Sequence, residues 1–402
     1  MNRVAVTGLG VVSAAGQDTG AFWQAVKSGQ SGIGPIESIP GDDLEIGVAA
    51  QVRDFEPDCH FDKSRQAQMD RFAQFAVVAA REAAADSELG HETCPPTRIA
   101  TIIGTSVGGQ VTQDDAYQRL YGEGRKRAHP FMVPRTMTSA PASQVTMDLG
   151  LTGPAFVVCS ACSSAGHAIG QAFHMIRAGS VDAAFAGGAE ASITYGTLKS
   201  WEALRVLAPD TCRPFSLDRQ GLVLGEGAAM LVLESMTRAK QRGAKIYAEI
   251  VGFGATSDAS DLVRPSPDGA SRAIGHALED AKLNADEVDY VSAHGTGTTA
   301  NDVIETEVLH RAFGAHARKL AVSSTKAVHG HALGASPALE MVATALAIKE
   351  GVAPPTANYT SCDPECDLDY IPGEARELEI RAAISNSFAF GGLNAVLALQ
   401  RA

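Results

Sequence analysis

The sequence has no long apolar run and no excess of positive charge. Its longest apolar stretches, such as residues 341–348, are far shorter than the roughly 18 residues needed to cross a bilayer. Among its 402 residues, 33 Lys and Arg are outnumbered by 46 Asp and Glu. The resulting net charge of −13 disfavours nucleic acid binding by the surface as a whole. The sequence therefore predicts a soluble, cytoplasmic protein with no membrane span and no nucleic acid partner.

Cysteine is scarce and odd in number, with seven residues spread along the chain. An odd count in a chain of this length argues against a disulfide framework and for reduced thiols, at least one of which could be reactive. Glycine, by contrast, is abundant at 40 residues and is concentrated at the ends of apolar runs. This pattern is typical of tight turns between strands and helices.

Strand-like runs rich in Val, Ile and Ala alternate with helix-compatible stretches, which indicates an α/β fold. The predicted strands lie at 4–7, 99–104, 156–158, 183–186 and 229–234, and again at 246–253, 290–293, 321–324, 384–387 and 395–399. Two helices, beginning at residues 163 and 336, each end at a glycine. We therefore predict two similar halves, 1–245 and 246–402, packed into one body.

The first predicted strand imitates the start of a dinucleotide-binding fold, because it feeds a Gly-x-Gly sequence at Gly8 and Gly10. The pattern is incomplete. Ser13 replaces the third glycine, and no acidic residue ends a second strand about 20 residues later. We therefore expect a plain tight turn here rather than a site for a nicotinamide cofactor.

Cys162 follows an apolar strand and precedes a helix that opens with serines suited to capping. A cysteine in this position faces the helix N-terminus, where free N–H groups and the helix dipole favour thiolate over thiol. We expect a thiol that is nucleophilic near neutral pH. A buried inert cysteine and a redox pair with Cys159 remain alternatives on this segment alone.

Two histidines lie in glycine-containing loops that follow predicted strands. His294 belongs to the sequence Ala-His-Gly-Thr-Gly-Thr, and His331 to Lys-Ala-Val-His-Gly-His. Each loop can present an imidazole to a cleft, although a histidine that only caps its own turn is the alternative. His329 and His331 together could suggest zinc, but no Cys- or His-rich cluster at ligand spacing completes a site. We therefore predict no metal.

A glycine-rich segment, Asn-Ser-Phe-Ala-Phe-Gly-Gly-Leu-Asn, lies at 386–394 between the last two predicted strands. Backbone N–H groups in such a turn can point at a developing oxyanion. An ordinary hairpin turn with an aromatic residue packed beside it is the alternative.

Taken together, these motifs resemble those of the condensing enzymes of the thiolase superfamily, specifically the chain-elongating β-ketoacyl-acyl-carrier-protein synthases. The resemblance covers almost the whole chain, and the segment 201–205 looks most similar to nodulation-type ketosynthases. The matching motifs are Val-Thr-Gly-Leu-Gly-Val-Val-Ser at 6–13, Ser-Ala-Cys-Ser-Ser at 160–164, Arg-Pro-Phe-Ser-Leu-Asp-Arg at 213–219, Leu-Gly-Glu-Gly-Ala at 224–228, Ala-His-Gly-Thr at 293–296, Ser-Ser-Thr-Lys at 323–326, Gly-His at 330–331 and Asn-Ser-Phe-Ala-Phe-Gly-Gly at 386–392.

The resemblance implies a thiolase-like α-β-α-β-α sandwich of five layers, built from two duplicated halves and usually homodimeric. It also implies a decarboxylative Claisen condensation, in which Cys162 accepts an acyl chain as a thioester. His294 and His331 would bind the carbonyl oxygen of a malonyl thioester carried by the acyl carrier protein, stabilising the enolate formed as CO₂ leaves. Backbone N–H groups of Cys162 and Phe390 would form the oxyanion hole.

Further positions carry supporting roles by the same resemblance. Lys326 and Glu305 are expected to orient and polarise His331 and its neighbours. The substrates are carried on the phosphopantetheine of the acyl carrier protein, so no other cofactor is expected. The residues expected to contact substrate are Thr296 and Thr298 on the pantetheine arm, Val107 in the acyl pocket and Gly391 in the glycine turn. Because relatives often carry bulkier Ile or Phe at the position of Val107, we expect this chain to admit longer or unsaturated acyl chains.

An acidic enzyme that works with an acidic carrier protein needs a local basic surface. Solvated surface charge without a partner is the alternative for any one basic residue. One candidate is the charge cluster of Arg125, Lys126 and Arg127. The others, at positions that resemble the family's docking surface, are Lys63, Arg65 and Arg205.

Cys162 together with His294 and His331 predicts an active, elongating enzyme. A silent partner subunit would lack Cys162, and an initiating synthase would carry asparagine in place of His331. A biosynthetic thiolase would have a second reactive cysteine near the C-terminal glycine turn.

Two other functions stay open. One is a ketosynthase of a type II polyketide or aryl-polyene system, which forms a heterodimer with a non-catalytic chain-length factor; the other is a scaffold protein with an inactive thiolase-like body.

Overall fold

The computed structural model describes residues 1–39 and 44–402. Within them, one large mixed sheet contains the strands β1 Val4–Ser13, β2 Ile99–Gly104, β3 Ala155–Val158, β4 Ala183–Glu190, β5 Gly227–Ser235, β6 Ala248–Ser257, β7 Tyr290–Ser292, β8 Ala321–Ser323, β9 Ala382–Ala389 and β10 Leu393–Gln400. The α-helices of eight or more residues are α1 Thr19–Ser28, α2 Arg71–Ser87, α3 Gln110–Tyr117, α4 Ala140–Leu149, α5 Ser164–Arg177, α6 Tyr195–Leu204, α7 Pro267–Ala281, α8 Thr299–Phe313 and α9 Ser336–Glu350.

Shorter elements connect these. The short helices are Pro57–His60, Lys63–Ala67, Pro96–Arg98, Gln118–Gly122, Met132–Thr136, Met236–Gln241, Ala285–Glu287, Gly314–Lys319, Lys326–His329 and Leu333–Ala335. Two small antiparallel ribbons pair Gly34–Pro35 with Val48–Ala49 and Val352–Ala353 with Arg376–Glu377.

The order of strands in the large sheet shows that the two halves are copies of one topology. The order is β8-β7-β9-β10-β6-β1-β5-β4-β2-β3. Starting from the centre, the first half reads β1-β5-β4-β2-β3, and adding five to each label gives the second half. The halves meet where β1 pairs antiparallel with β6, with Val4 opposite Ile250. The predicted duplicated α/β fold is confirmed, whereas the boundary between residues 245 and 246 stays a prediction.

Helices cover both faces of each half-sheet and produce five layers. Helices α2 and α4 pack on the outer face of the first half, and α7 and α8 lie on the outer face of the second. Helices α5 and α9 pack against each other in the middle layer, between the two half-sheets. Each of the three helix layers shares a core of buried apolar residues with the strands beside it. No helix among the described residues is long and apolar enough to span a membrane.

The expected tight turn at the first glycines is wrong, because β1 runs straight through them. The strand continues to Ser13, with one irregularity in its pairing between Val6 and Gly8. Helix α2 explains the glycines, because it approaches β1 so closely that a Cβ on Gly10 would lie 1.9 Å from the carbonyl oxygen of Ala79. The glycines therefore permit close packing of helix on strand rather than a change of chain direction.

The loops of the predicted site all leave the same ends of strands. In each half, three strands are parallel to one another: β2, β3 and β4 in the first, and β7, β8 and β9 in the second. Cys162 follows β3, His294 follows β7, His331 follows β8, and Phe390 follows β9. In open α/β sheets, the crevice beyond the carboxyl ends of parallel strands is the usual place for a ligand. Side-chain contacts bring loops of both halves together, because Glu190 accepts hydrogen bonds from Ser106 of the first half and Gly334 of the second, and Cys162 shares a buried cluster with Leu333 and Ala389.

The contact between α2 and β1 predicts opposite effects of two glycine-to-alanine substitutions. Gly10→Ala forces backbone atoms apart and is expected to lower the free energy of unfolding by about 2 kcal/mol or more. Gly275→Ala, on the exposed face of α7 with no atom within 4 Å of the new Cβ, is expected to raise it by about 0.5–1 kcal/mol. Denaturant unfolding measures both. Equal effects of the two substitutions would contradict the close-packing explanation.

Candidate active site

Cys162 lies on a sharp turn between β3 and α5, and its side chain is almost buried, at 6% exposure. The preceding residue, Ala161, has a φ of +50°, which is unusual for a residue with a side chain. Three serines hold the turn. The Ser163 hydroxyl donates to the carbonyl oxygen of Ser160 at 2.8 Å, and the Ser164 hydroxyl donates to that of Ala161 at 2.6 Å. The serines therefore stabilise a strained turn that presents a thiol.

A buried carboxylate joins this turn to the second half of the chain. Glu190, at the end of β4, accepts hydrogen bonds from the Thr105 hydroxyl at 3.0 Å, the Ser106 N–H at 2.7 Å and the Gly334 N–H at 3.1 Å. The Ser106 hydroxyl in turn donates to the carbonyl oxygen of Ala161 at 3.2 Å. Glu190 therefore fixes the cysteine turn relative to the loop that follows His331. Sequence reasoning missed this residue.

A second buried carboxylate holds the loop of His294. The backbone N–H groups of His294 and Gly295 donate to the two oxygens of Glu305, at 2.8 and 2.7 Å. The Asn386 side chain donates to the same carboxylate at 3.1 Å. Glu305 thus positions the backbone that carries the His294 ring, and it links that loop to β9.

Lys326 contacts the loop of His294 directly, and its charge also acts on His331, so its expected role toward both rings stays a prediction. The ammonium donates to the carbonyl oxygen of His294 at 2.6 Å and lies 3.5 Å from Nδ1 of that ring. It forms an ion pair with Glu340, and both side chains are fully buried. The His331 ring is held instead by Ser336, whose hydroxyl lies 2.9 Å from Nδ1. Sequence reasoning did not identify Glu340 or Ser336.

The two imidazoles lie close together and are neutral. Their ring centres are 5.6 Å apart, with planes at 84°. Burial, reinforced by the positive charge of Lys326, lowers the pKa of both His294 and His331 well below the usual value. The ammonium can only donate to Nδ1 of His294, and the Ser336 hydroxyl can donate to Nδ1 of His331. We assign both rings as Nε2–H tautomers, which offer an N–H donor without a positive charge.

Burial opposes the expected effect of the helix N-terminus, which was to favour thiolate over thiol. It raises the pKa of Cys162 to about 12. The charge of Lys326 and the backbone N–H groups of Phe390 and Cys162 itself act in the opposite direction but do not offset the loss of water. The helix N-terminus therefore does not produce a free thiolate here. The same contacts place two backbone N–H donors beside the sulfur, at the positions predicted for an oxyanion hole.

The remaining predicted substrate positions lie around this group. The hydroxyls of Thr296 and Thr298 are 2.9 Å apart, and Thr298 caps α8. Gly391 lies in the turn between β9 and β10, with a φ of +82°, a conformation that favours glycine. Val107 is 41% exposed and does not line the neighbouring cavity of about 920 Å³, whose apolar walls include Val111 and Ile193. The place of Val107 in an acyl pocket stays a prediction.

The predicted docking residues lie on the surface in separate groups. Lys63 pairs with Asp58, and Arg65, which is half-buried, lies 3.3 Å from Asp148. Arg205 ends α6 with a left-handed backbone. Arg125, Lys126 and Arg127 are exposed, and two of them line a cavity of about 250 Å³ that is rich in arginine. The residues that give this cavity its positive charge are Arg119, Arg125, Arg127 and Arg135.

Comparison with known proteins agrees with the fold and the motifs. Residues 1–239 match the family model of the beta-ketoacyl synthase N-terminal domain, and residues 247–360 match that of the C-terminal domain. Nodulation protein E of Rhizobium sp. (strain N33) is 48% identical over 399 residues, which cover 99% of both chains. The 3-oxoacyl-[acyl-carrier-protein] synthase 2 of Staphylococcus aureus (strain COL) is 41% identical over 406 residues, which cover 99% of this chain and 98% of the relative.

A solved structure extends the comparison to three dimensions. The ishigamide ketosynthase/chain length factor superposes with a TM-score of 0.96 at 35% identity, covering 100% of this chain and 99% of the other. The predicted resemblance, including its nodulation-type character, is confirmed by these matches. Family models that together span most of the sequence, and relatives above 40% identity over its full length, establish that this chain belongs to the β-ketoacyl synthase family.

Proposed function

We propose that this chain is an elongating β-ketoacyl-acyl-carrier-protein synthase, which condenses an acyl thioester with a malonyl thioester. The observation that carries the proposal is a buried thiol with two backbone N–H donors beside it, on a turn that Ser106 and Glu190 join to the loop of His331, whose ring centre lies 5.6 Å from that of His294. Such a set offers hydrogen-bond donors to both oxyanions that the reaction creates. Its substrates are carried on phosphopantetheine, and no further cofactor takes part.

In the first step, the Cys162 sulfur attacks the carbonyl carbon of the acyl thioester. The N–H groups of Cys162 and Phe390 stabilise the oxyanion of the tetrahedral intermediate, a contribution of about 3–4 kcal/mol if each donor resembles those of other enzymes. The bond to the carrier thiol breaks, and the proton of Cys162 passes in net terms to the departing carrier thiolate. The acyl chain then remains on Cys162 as a thioester.

In the second step, a malonyl thioester loses CO₂ and leaves an enolate. Nε2–H of His294 and His331 donate to the enolate oxygen, which develops negative charge only in the transition state and intermediate. The enolate carbon attacks the carbonyl of the acyl-cysteine, forming the new C–C bond, and the C–S bond to Cys162 breaks. One proton returns to the sulfur, so acyl-enzyme, malonyl thioester and H⁺ give β-ketoacyl thioester, CO₂ and free enzyme.

Two forms of assembly fit this proposal, a homodimer and a heterodimer with a chain-length factor. Strand β3 ends the large sheet, and Phe156 on it is 39% exposed. An unpaired edge strand is a ready site for pairing with a second chain. The structure of the ishigamide ketosynthase/chain length factor favours the heterodimer as a second candidate. Activity of the chain purified alone supports the homodimer, and activity only with a second subunit supports the heterodimer. In either form we place the enzyme in the cytoplasm.

Replacement of His331 is expected to separate the two steps. His331→Ala removes one donor to the enolate and should lower the rate of condensation by about 10²–10³-fold. Acylation of Cys162 should fall by less than about tenfold, because that step uses the backbone donors. Mass spectrometry of Cys162 across a series of carrier-bound acyl chains, before and after addition of malonyl-carrier protein, measures both.

His276→Ala is the matched control, because His276 is exposed on α7. It should leave both steps unchanged. Absence of any acyl adduct on wild-type Cys162 across the series would overturn the proposed function, and an unchanged rate of condensation in His331→Ala would overturn the role given to this ring.

We also propose that the arginine-rich surface at 125–127 binds the acidic carrier protein. The double variant Arg125→Glu, Arg127→Glu should raise KM for a carrier-bound substrate by about tenfold at low salt, equivalent to about 1.4 kcal/mol. Turnover of a small acyl thioester should not change, because that substrate does not use the surface. Added salt should raise the wild-type KM for the carrier-bound substrate toward that of the double variant.

Arg318→Glu, outside the predicted docking set and 66% exposed, serves as the control. Equal losses on carrier-bound and small substrates would show that the double variant damages the enzyme rather than the docking surface.

A further inference from the structure

One of the two tryptophans of this chain contacts the turn that borders the thiol. Trp23 is buried in the core at 3% exposure, whereas Trp201 lies half-buried on α6. The Trp201 ring is stacked on the ring of Phe390, with centres 5.8 Å apart and planes at 23°. This spacing and angle are typical of a favourable offset stack. The Phe390 N–H is also one of the two donors beside the Cys162 sulfur.

The turn that carries this donor is closed by backbone hydrogen bonds: the Gly392 N–H donates to the carbonyl oxygen of Ala389 at 3.0 Å, and the Asp258 N–H donates to that of Gly392 at 2.9 Å. Gly391 and Gly392 follow Phe390 with φ values of +82° and +68°. The Gly391 N–H donates at 2.7 Å to the carbonyl oxygen of Leu262, a residue with 76% exposure. These backbone bonds close the turn but do not contact the Phe390 side chain. The aromatic stack supplies a second support from the opposite element, α6.

Helix α6, which carries Trp201, is itself capped and packed against the site. Its first turn is capped by Thr194, whose hydroxyl accepts the Thr197 N–H at 3.4 Å. Leu198, one turn before Trp201, is 1% exposed and belongs to the apolar cluster that contains Cys162. The helix is therefore packed into the wall of the site, and a ring attached to it keeps its position relative to the sulfur.

We propose that Trp201 is a positioning residue, which holds the Phe390 N–H at the oxyanion position by stacking on the Phe390 ring. The inference rests on the proposed function, since an oxyanion forms only if Cys162 is acylated. It assigns no contact between the Trp201 ring and the reacting atoms. Loss of the stack should therefore act on reactions of Cys162 that pass through an oxyanion, and far less on those that do not.

Two reactions of the same thiol distinguish this role. Acyl transfer from a small acyl thioester to Cys162 creates an oxyanion, whereas alkylation of Cys162 by iodoacetamide creates none. Trp201→Ala should slow acyl transfer by about tenfold and alkylation by less than about threefold. Trp201→Phe, which keeps an aromatic ring, should restore acyl transfer to within about threefold of wild type. Peptide mass spectrometry follows Cys162 separately from the exposed Cys59, Cys159 and Cys362.

Ser200→Ala, a truncation at an exposed position of the same helix, is the matched control and should leave both rates unchanged. Equal slowing of the two reactions, or faster alkylation with unchanged acyl transfer, would show that Trp201 controls only access to the sulfur and would overturn the inference. Failure of Trp201→Phe to restore acyl transfer would also overturn it. If wild-type Cys162 is alkylated but never acylated, the proposed function fails, and the inference falls with it.

Discussion

The buried positive charge of Lys326 is the constraint on which the rest of the site depends. Its ammonium and the Glu340 carboxylate are both fully buried, so each needs the other to compensate for lost water. Burial raises the pKa of Glu340 to about 7, and Lys326 opposes that shift. The same ammonium donates to the His294 backbone, and its field helps to keep both catalytic imidazoles neutral. Burial and the charge of Lys326 together therefore keep the two donors uncharged.

Neutral imidazoles suit the proposed chemistry better than charged ones. An imidazolium would bind the carboxylate of a malonyl group in the ground state and so favour the substrate before CO₂ leaves. A neutral N–H donor gains strength mainly as the enolate oxygen becomes negative, which is the interaction that accelerates a reaction. The protonated thiol fits the same picture, because burial keeps the reacting thiol and imidazoles uncharged until the substrate arrives.

Because the fold is duplicated, the nucleophilic thiol and one of the imidazole donors lie at equivalent positions in the two halves. Cys162 and His331 both lie between the third strand of a half and the helix of the middle layer that follows it. The two helices, α5 and α9, pack against each other, so the loops at their N-terminal ends are neighbours. Glu190 then fixes one loop to the other through hydrogen bonds from both. The geometry of the pair is thus a consequence of helix packing.

Local pattern marked the candidate reactive residues, and the family resemblance added Lys326 and Glu305, but neither identified the other buried supports. Cys162, His294 and His331 each follow a strand and precede a helix, and such turns are visible in the sequence. Glu190, Ser336 and Glu340 act through contacts that depend on how distant segments pack, and nothing in their own segments marks them. The glycines of β1 were misinterpreted for the same reason, since the helix that needs them begins sixty residues later. The pKa of Cys162 also followed burial by the whole fold rather than the local helix end.

Imidazole protonation in the folded protein tests the central claim most directly. Nitrogen NMR of ¹⁵N-histidine-labelled protein, with His294 and His331 assigned by single replacement, reports the charge and tautomer of each ring. The account predicts that both rings are neutral Nε2–H tautomers at pH 7 and that each titrates well below the ordinary histidine pKa of about 6.5. It also predicts a rise in both pKa values when Lys326 is replaced by methionine. An imidazolium signal from either ring at pH 7, or pKa values that do not respond to the loss of Lys326, would contradict it.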